Sequence, residues 1–516
     1  MNTNLFVAPT TTDLVTNLAG GKAYSMTDEM ALLQLAVTGV FNDTFYATAE
    51  DQLKTVQTLV DKCSTEWIAR VAIYAREKGY MKDMPAYLVA VLASRPEKNI
   101  FNYTFDLVID NVGMIRNFTQ VIRSGVTGRK SLGSAPKHAI ARALNKLSAD
   151  RIFYQSVGTS PSLEDVLKLS HCKPLDAEHD ALYGYLLDKP YIAENLPLLV
   201  KRFEAYKAGT LLEAPAVDFR RLTALNLTDE QWMDIGIRMT WNQTRMNLNT
   251  LARHNCFTSQ VFTDTIVKKL QDEGAIAHSK VLPFAIYNAI NNVDAAVPAS
   301  VKQALGWCLD LSLMNAPVLT DDTIILVDTS GSMNSPVTGY RPGATSTMTC
   351  TKAAAYFAAS ILKRNPDRVA ILPFDTTVHP IAVNPRDSVE TITKQLARGG
   401  GGTDVSCGVR HILRTPKYKN ILIISDNESW FDGMDSYRGM RSTATQAAWQ
   451  QYKKARPDAR MVCWDITPNT TVQAKNDHSV LNVGGFTEAV YDLVSMWYGV
   501  GNAETWRSQV NSIPIQ

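Results

Sequence analysis

The chain has no apolar run close to the roughly 18 residues that a membrane span requires. Its best candidate, AYLVAVLAS at residues 86–94, has the length of a core helix segment, so no membrane association is expected. The N-terminus, MNTNLFVAPTTT, lacks both a basic start and an apolar core, which argues against secretion. Seven cysteines are scattered and never spaced as CxxC. That pattern speaks for free thiols in a reducing cytoplasm and against a zinc site or disulfide framework. Eight histidines show no ligand spacing, and TGRKSLGS (127–134) is not the GxxxxGK[ST] of a phosphate-binding loop. A Ser/His/Asp constellation is missing as well, and with it the usual ground for expecting an enzyme. Charge of one sign is also absent. Residues 1–318 carry 32 basic and 32 acidic side chains, and residues 319–516 carry 20 and 18. Nucleic-acid binding would therefore have to come from a local patch.

A length of 516 residues is too great for one core, and the pattern of what is present divides the chain in two. Residues 319–516 alternate short apolar runs with helical patterns. TIILVD (323–328), RVAILPFD (368–375), NILIISD (420–426) and RMVCWDI (460–466) suit parallel strands buried on both faces. Between them, 350–364, 388–398, 405–414 and 440–455 have helical periodicity, as in a doubly wound, Rossmann-like α/β sheet. Residues 1–318 read as successive helices instead, at 27–41, 49–62, 65–79, 85–95, 281–293 and 299–314, with extended β-branched runs almost absent. Stacked helix pairs of the HEAT type, or a plain bundle, would accommodate them. NAPVLTDD (315–322), with its proline and acids, marks the seam.

Two stretches carry chemistry. In the C-terminal part, VDTSGSMNS (327–335) brings Asp328, Ser330 and Ser332 to the end of an apolar strand. GGGGTD (399–404) offers Thr403 from a glycine-rich loop, and SDNES (425–429) offers Asp426 from a second strand end. Ligands of such sheets gather at the carboxyl ends of the strands. Two carboxylates with three hydroxyls suit a hard cation such as Mg²⁺, which wants oxygen ligands in octahedral array. One coordination position would remain for an acidic oxygen on a partner. A phosphatase of the haloacid-dehalogenase kind would need a second acid two residues after the strand-end aspartate, and that position is Ser330.

In the helical part, Asn111 to Ala149 contains no acid and seven cations: Arg116, Arg123, Arg129, Lys130, Lys137, Arg142 and Lys146. Over GRKSLGSAPKHAIARALNK (128–146) the cations recur at helical spacing, with Ala139, Ile140, Ala143 and Leu144 between them. A helix there buries one face and shows phosphates a basic one, giving salt-dependent binding without base reading. The bland alternative is a solvated helix face. VLKLSHCKP (166–174) adds His171 and Lys173, and RMTWNQTRMNLNTLARHNCF (238–257) adds Arg245 on a further helical pattern.

The set Asp328, Ser330, Ser332, Thr403 and Asp426 resembles the metal-ion-dependent adhesion site of von Willebrand factor A domains, without departure at any of the five positions. Along nearly the whole chain, segments 17–46, 68–93, 128–144, 166–174, 245–257, 281–289 and 480–486 are similar, in order, to the TROVE module and A domain of the Ro autoantigen family. The resemblance implies a ring of HEAT-like helices (1–318) followed by a von Willebrand A domain (319–516). It implies an RNA quality-control protein that is not an enzyme. Small noncoding Y-type RNA would bind on the outer surface of the ring, and single-stranded 3′ ends of misfolded RNA in its hole. Arg129, Lys130, Lys137, Lys146 and His171 match basic or histidine positions of the family's RNA-binding face. A 3′-to-5′ exonuclease resembling polynucleotide phosphorylase is an implied partner. Glu164 and Asp165 depart from the more basic pattern of relatives. The rival expectation is a scaffold that binds proteins through its metal site and no RNA.

Overall fold

The computed structural model describes residues 11–38, 47–158, 160–279, 281, 283–313, 316–340, 348–397, 400–430, 442–485, 489–499 and 506–516. Parts of the expected elements at 39–41, 282, 314, 398 and 440–441 lie outside these residues, as does Gly399 of the glycine-rich loop. The same holds for parts of the resembling segments 17–46, 281–289 and 480–486. None of the described helices is long and apolar enough to cross a membrane.

The chain is helical first and then α/β. Eight strands are described: β1 (Thr11–Thr16), β2 (Lys22–Met26), β3 (Thr323–Asp328), β4 (Val369–Phe374), β5 (Asn420–Ser425), β6 (Arg460–Asp465), β7 (Thr471–Val472) and β8 (Val480–Gly484). The four expected apolar runs are β3, β4, β5 and β6, and β8 completes a five-stranded parallel sheet in the order β4-β3-β5-β6-β8. β3 and β5 are buried at every residue, which is why their sequences show no alternation. From β3 the chain steps to β4 on one side and then returns to β5 on the other. The carboxyl ends of β3 and β5 therefore flank the switch point of a doubly wound sheet. Their register is direct, with Val327 opposite Ile424. One core cluster joins Leu326, Phe374 and Ile423 of the sheet to Val409, Trp449 and Tyr452 of the flanking helices.

The compact units do not follow chain order. One comprises residues 1–81, 282–288 and 312–514, and the other 82–281, 289–311 and 515–516. Within the first, β1 and β2 form a hairpin whose second strand pairs with β7, Tyr24 lying opposite Val472. The expectation of an almost strand-free beginning is corrected here. TTDLVT is β-branched but mostly polar, with only Leu14 and Val15 apolar, and NLAGG supplies the turn. The same unit holds the Trp67 indole to the Glu29 carbonyl (3.0 Å) and Arg507 Nε to the Glu29 carboxylate (2.9 Å).

The second unit consists of packed helices. Lys98–Val108, Val112–Ser124, Ser134–Asn145, Ala149–Gln155 and Leu163–Ser170 follow one another with short connections. The Val112–Ser124 helix buries Val112, Met114, Ile115, Phe118 and Ile122, and leaves Arg123 outside. Ser162 and Asp165 form a reciprocal capping box at the start of the Leu163–Ser170 helix.

Candidate functional site

All five oxygen-bearing residues converge at the carboxyl ends of β3 and β5. Asp328, Ser330 and Thr403 are at most 1% exposed, Asp426 2% and Ser332 6%. The Ser330 amide donates to Asp328 Oδ1 (2.8 Å), which turns the loop after β3 back on itself. Ser330 and Ser332 bring their hydroxyls within 3.3 Å of each other. The Ser425 hydroxyl, from the neighbouring strand, donates to Asp328 Oδ2 (2.6 Å) and fixes that carboxylate. Thr403 arrives on a loop held by the Gly331 amide, which donates to the Gly401 carbonyl (2.9 Å), and by the Trp430 amide, which donates to the Thr403 carbonyl (3.2 Å). A Cβ on Gly402 would stand 2.6 Å from the Trp430 ring, so the close approach of that ring requires glycine.

The electrostatics of this corner are lopsided. Asp328, Asp426, Glu428 and Asp465 are all buried, and none has an ion-pair partner among the described residues. Burial, and then the charge of Asp426, pushes the Asp328 carboxyl well above its ordinary value. Burial does the same to Asp426. Glu428 is pushed up to about 7 by burial and by Asp426, although it accepts from Asn469 Nδ2 (2.7 Å) and the Ala19 amide (3.3 Å). Asp465 is raised by burial and by the charges of Asp426 and Glu428, and its Oδ2 has no hydrogen-bond partner among the described residues. Asp404, beside Thr403, is satisfied separately by Arg410 Nη2 (2.6 Å) and Ser406 Oγ (2.5 Å). Four carboxyl groups packed together without a cation are costly unless protons or a metal ion supply positive charge. The donor set fits a hard divalent ion. Among the described residues no three His, Cys, Asp or Glu are placed to hold a metal by themselves, so the hydroxyls of Ser330, Ser332 and Thr403 would be needed.

Ser425, Glu428 and Asn17 are additions that sequence reasoning did not supply. Ser425 lay inside SDNES and could have been read as a strand-end donor. Asn17 carries no signal of its own. Its amide donates to the Ser429 carbonyl (2.8 Å) from more than four hundred residues away in sequence.

The basic candidates separate into two groups. Arg116, Arg129, Arg142, Lys146 and Arg245 are engaged within the protein. Arg116 donates to the carbonyls of Pro161 (2.6 Å) and Val157 (2.8 Å), and Arg129 to those of Ser131 (3.0 Å), Ala93 (3.2 Å) and Leu132. Arg142 and Lys146 both reach Asp106, each at 3.0 Å, so the acid missing from their own stretch comes from the Lys98–Val108 helix. Arg245 is half-buried and donates to Asn242 Oδ1 (2.9 Å). Arg123, Lys130, His171 and Lys173 are exposed and Lys137 is half-exposed. Arg123 lies near enough to Asp165 to help hold that carboxyl below its ordinary range, after the Ser162 hydrogen bonds. His171 takes the left-handed conformation (φ 52°) that ends the Leu163–Ser170 helix. Asp165 serves the capping box and Glu164 pairs with Lys168, so both departures from the basic pattern have local roles.

The Ser134–Asn145 helix has an unusual start. Its N-cap is Gly133, which has no side chain to accept from the first-turn amides, and no acid stands in that turn. Most of the other helices of this unit begin with a Ser, Thr, Asp or Asn side chain accepting from the first turn. Pro136 has no amide hydrogen, so the Ser134 and Ala135 amides, without a capping side chain among the described residues, and the positive end of the helix dipole lie between Lys130 and Lys137.

Comparison with known proteins fits this architecture. Residues 323–498 match the family profile described as the Ro60 vWA domain. The RNA-binding protein RO60 of Deinococcus radiodurans is 23% identical over 461 residues, 81% of this chain and 83% of that protein. The crystal structure of the Deinococcus radiodurans RO (RSR) protein superposes with a TM-score of 0.61 at 18% identity, covering 91% of this chain and 99% of that one, which shows a shared fold. The chain is similar to Ro proteins along most of its length, and residues 323–498 match the Ro60 von Willebrand A profile.

Proposed function

We propose that this Ro-like chain is an RNA-binding protein that grips phosphates with its helical unit and offers a second, metal-dependent contact from its A domain. The observation that carries the first half is the acid-free, uncapped start of the Ser134–Asn145 helix between Lys130 and Lys137. An unclaimed helix N-terminus is an anion site, and lysines beside it add counterion release without reading bases. Arg123, His171 and Lys173 extend the surface from neighbouring helices. The name of the Deinococcus radiodurans relative, an RNA-binding protein, supports the same reading.

The finer form of the proposal rests on the family resemblance. It holds that a small Y-type noncoding RNA binds an outer helical surface and that single-stranded ends of misfolded RNA enter a helical ring. The complex would act in RNA quality control in the cytoplasm, as an adaptor for a 3′-to-5′ exonuclease, and not as an enzyme.

For the A domain we propose that Asp328, Ser330, Ser332, Thr403 and Asp426 hold Mg²⁺ or another divalent cation. The ion would supply a coordination position for an acidic group on a protein partner. Crosslinking the full chain to RNA in its own cells and sequencing what is recovered tests the RNA proposal. Enrichment of discrete noncoding RNAs is expected. Recovery no greater than that of a non-binding control protein would favour the metal-dependent scaffold.

A further inference from the structure

A second basic feature lies in the helical unit away from the Ser134 helix start, and the RNA proposal did not use it. Two cavities of about 390 and 370 Å³ meet there, sharing Val157 and Arg220 in their walls. Each lies within the size range of small-molecule sites. Five cations line the pair, Arg116, Arg151, Lys207, Arg220 and Arg221, against two acids, Asp110 and Asp218. The cavity holding Lys207, Arg220 and Arg221 has no acid in its wall.

Most of these cations are held in place before any ligand arrives. Arg116 is fixed by the Pro161 and Val157 carbonyls, which leaves its Nη2 without an acceptor among the described residues. Its guanidinium lies against Gly158 (φ +135°), where a Cβ would fall 2.2 Å from both Nη atoms. Arg220 is clamped by Asp218 through two bonds of 2.9 Å. Arg221 stacks on Phe153, with its carbon 4.2 Å from the ring centroid, and donates to Ser156 Oγ (2.6 Å). Its Nε is buried without an acceptor among the described residues. Lys207 leans on Glu204 at 3.4 Å, and the exposed Arg151 guanidinium has no partner among the described residues. Arg116 and Arg220 feel each other's charge, so like charges have been gathered instead of dispersed.

We infer that the junction of these cavities is a phosphate site, with the phosphoryl oxygens seated among Arg116, Arg151 and Arg220. Fixed guanidinium forks match phosphate oxygens in pairs, and holding them in advance removes the ordering cost of binding. Tyr154, partly exposed in the wall of one cavity, offers ring surface to a base beside the junction. The ligand is therefore a nucleotide phosphate, either free or as the phosphodiester of a single strand. The site does not depend on the surface around Lys130 and Lys137.

The test uses the full-length protein, with calorimetry at low salt and three probes: inorganic phosphate, adenosine monophosphate and the dinucleoside monophosphate ApA. At least one nucleotide probe is expected to bind, with inorganic phosphate competing more weakly. Arg220→Gln and Arg151→Gln should each weaken that probe by about tenfold, as expected for a charge-assisted hydrogen bond. Arg151 is exposed, so its variant remains informative if Arg220→Gln does not fold. The tenfold loss in Arg151→Gln should persist when Lys130→Glu and Lys137→Glu are added, which separates this site from the RNA surface. Binding of the monophosphate alone assigns the site to free nucleotides, and binding of ApA assigns it to a strand. Absence of binding by all three probes, or wild-type affinity in Arg151→Gln, would overturn the inference.

Discussion

Asp106 decides how much of the acid-free stretch can meet an anion, because one carboxylate holds both Arg142 and Lys146. Burial works against its charge, but the bonds from those two cations outweigh it and keep the carboxyl below its ordinary range. Asp106→Asn should release both cations and steepen the fall of log K for RNA with log salt by about one to two units. Filter binding across a salt series reads this directly, and an unchanged slope would mean the two cations face no phosphate. The metal corner makes the converse case, since its buried carboxylates repel one another without relief. Mg²⁺ should stabilise the wild type by about 2.7 kcal/mol at a hundredfold excess over Kd and so raise its melting temperature. Asp426→Asn should abolish that shift and melt no lower than the wild type without metal. A Mg²⁺-dependent shift that survives in Asp426→Asn would remove this residue from the ligand set.

Elements with strong local signals were legible from sequence, and those defined by distant partners were not. β3 and β5 are buried throughout, so unbroken apolar runs marked them, and the two loops at their ends could be matched with the glycine-rich loop before the 405–413 helix to a single site. The β1–β2 hairpin was not legible, because its stability comes from pairing with β7 across the length of the chain. Cation counting failed for a related reason. Arg129 satisfies backbone carbonyls that no linear motif announces. The bare N-terminus of the Ser134–Asn145 helix shows stability and binding pulling apart. Ser134→Asp should raise thermal stability by about 0.5 kcal/mol through the helix dipole and weaken RNA binding by local repulsion. Calorimetric melting and RNA titration of the same sample test both signs, and a gain in both would contradict the anion-site reading.

For the whole molecule, compactness cuts across sequence order. The first 81 residues belong to the unit that contains the parallel sheet, and Asn17 and Ala19 bond to the loop that follows β5. A fragment of residues 319–516 lacks those bonds and the strand beside β7. It should melt below the same fragment mixed with residues 1–81, as scanning calorimetry would detect; equal melting would show that the N-terminal segment adds nothing to that unit. The central claim is that a lysine-flanked helix start grips RNA phosphates. Its most direct measurement is RNA affinity against salt for the full chain and for Lys130→Glu with Lys137→Glu. The account predicts weaker binding and a salt slope shallower by about two in the variant, with Mg²⁺ stabilisation retained. Wild-type affinity and slope in a folded variant would contradict it.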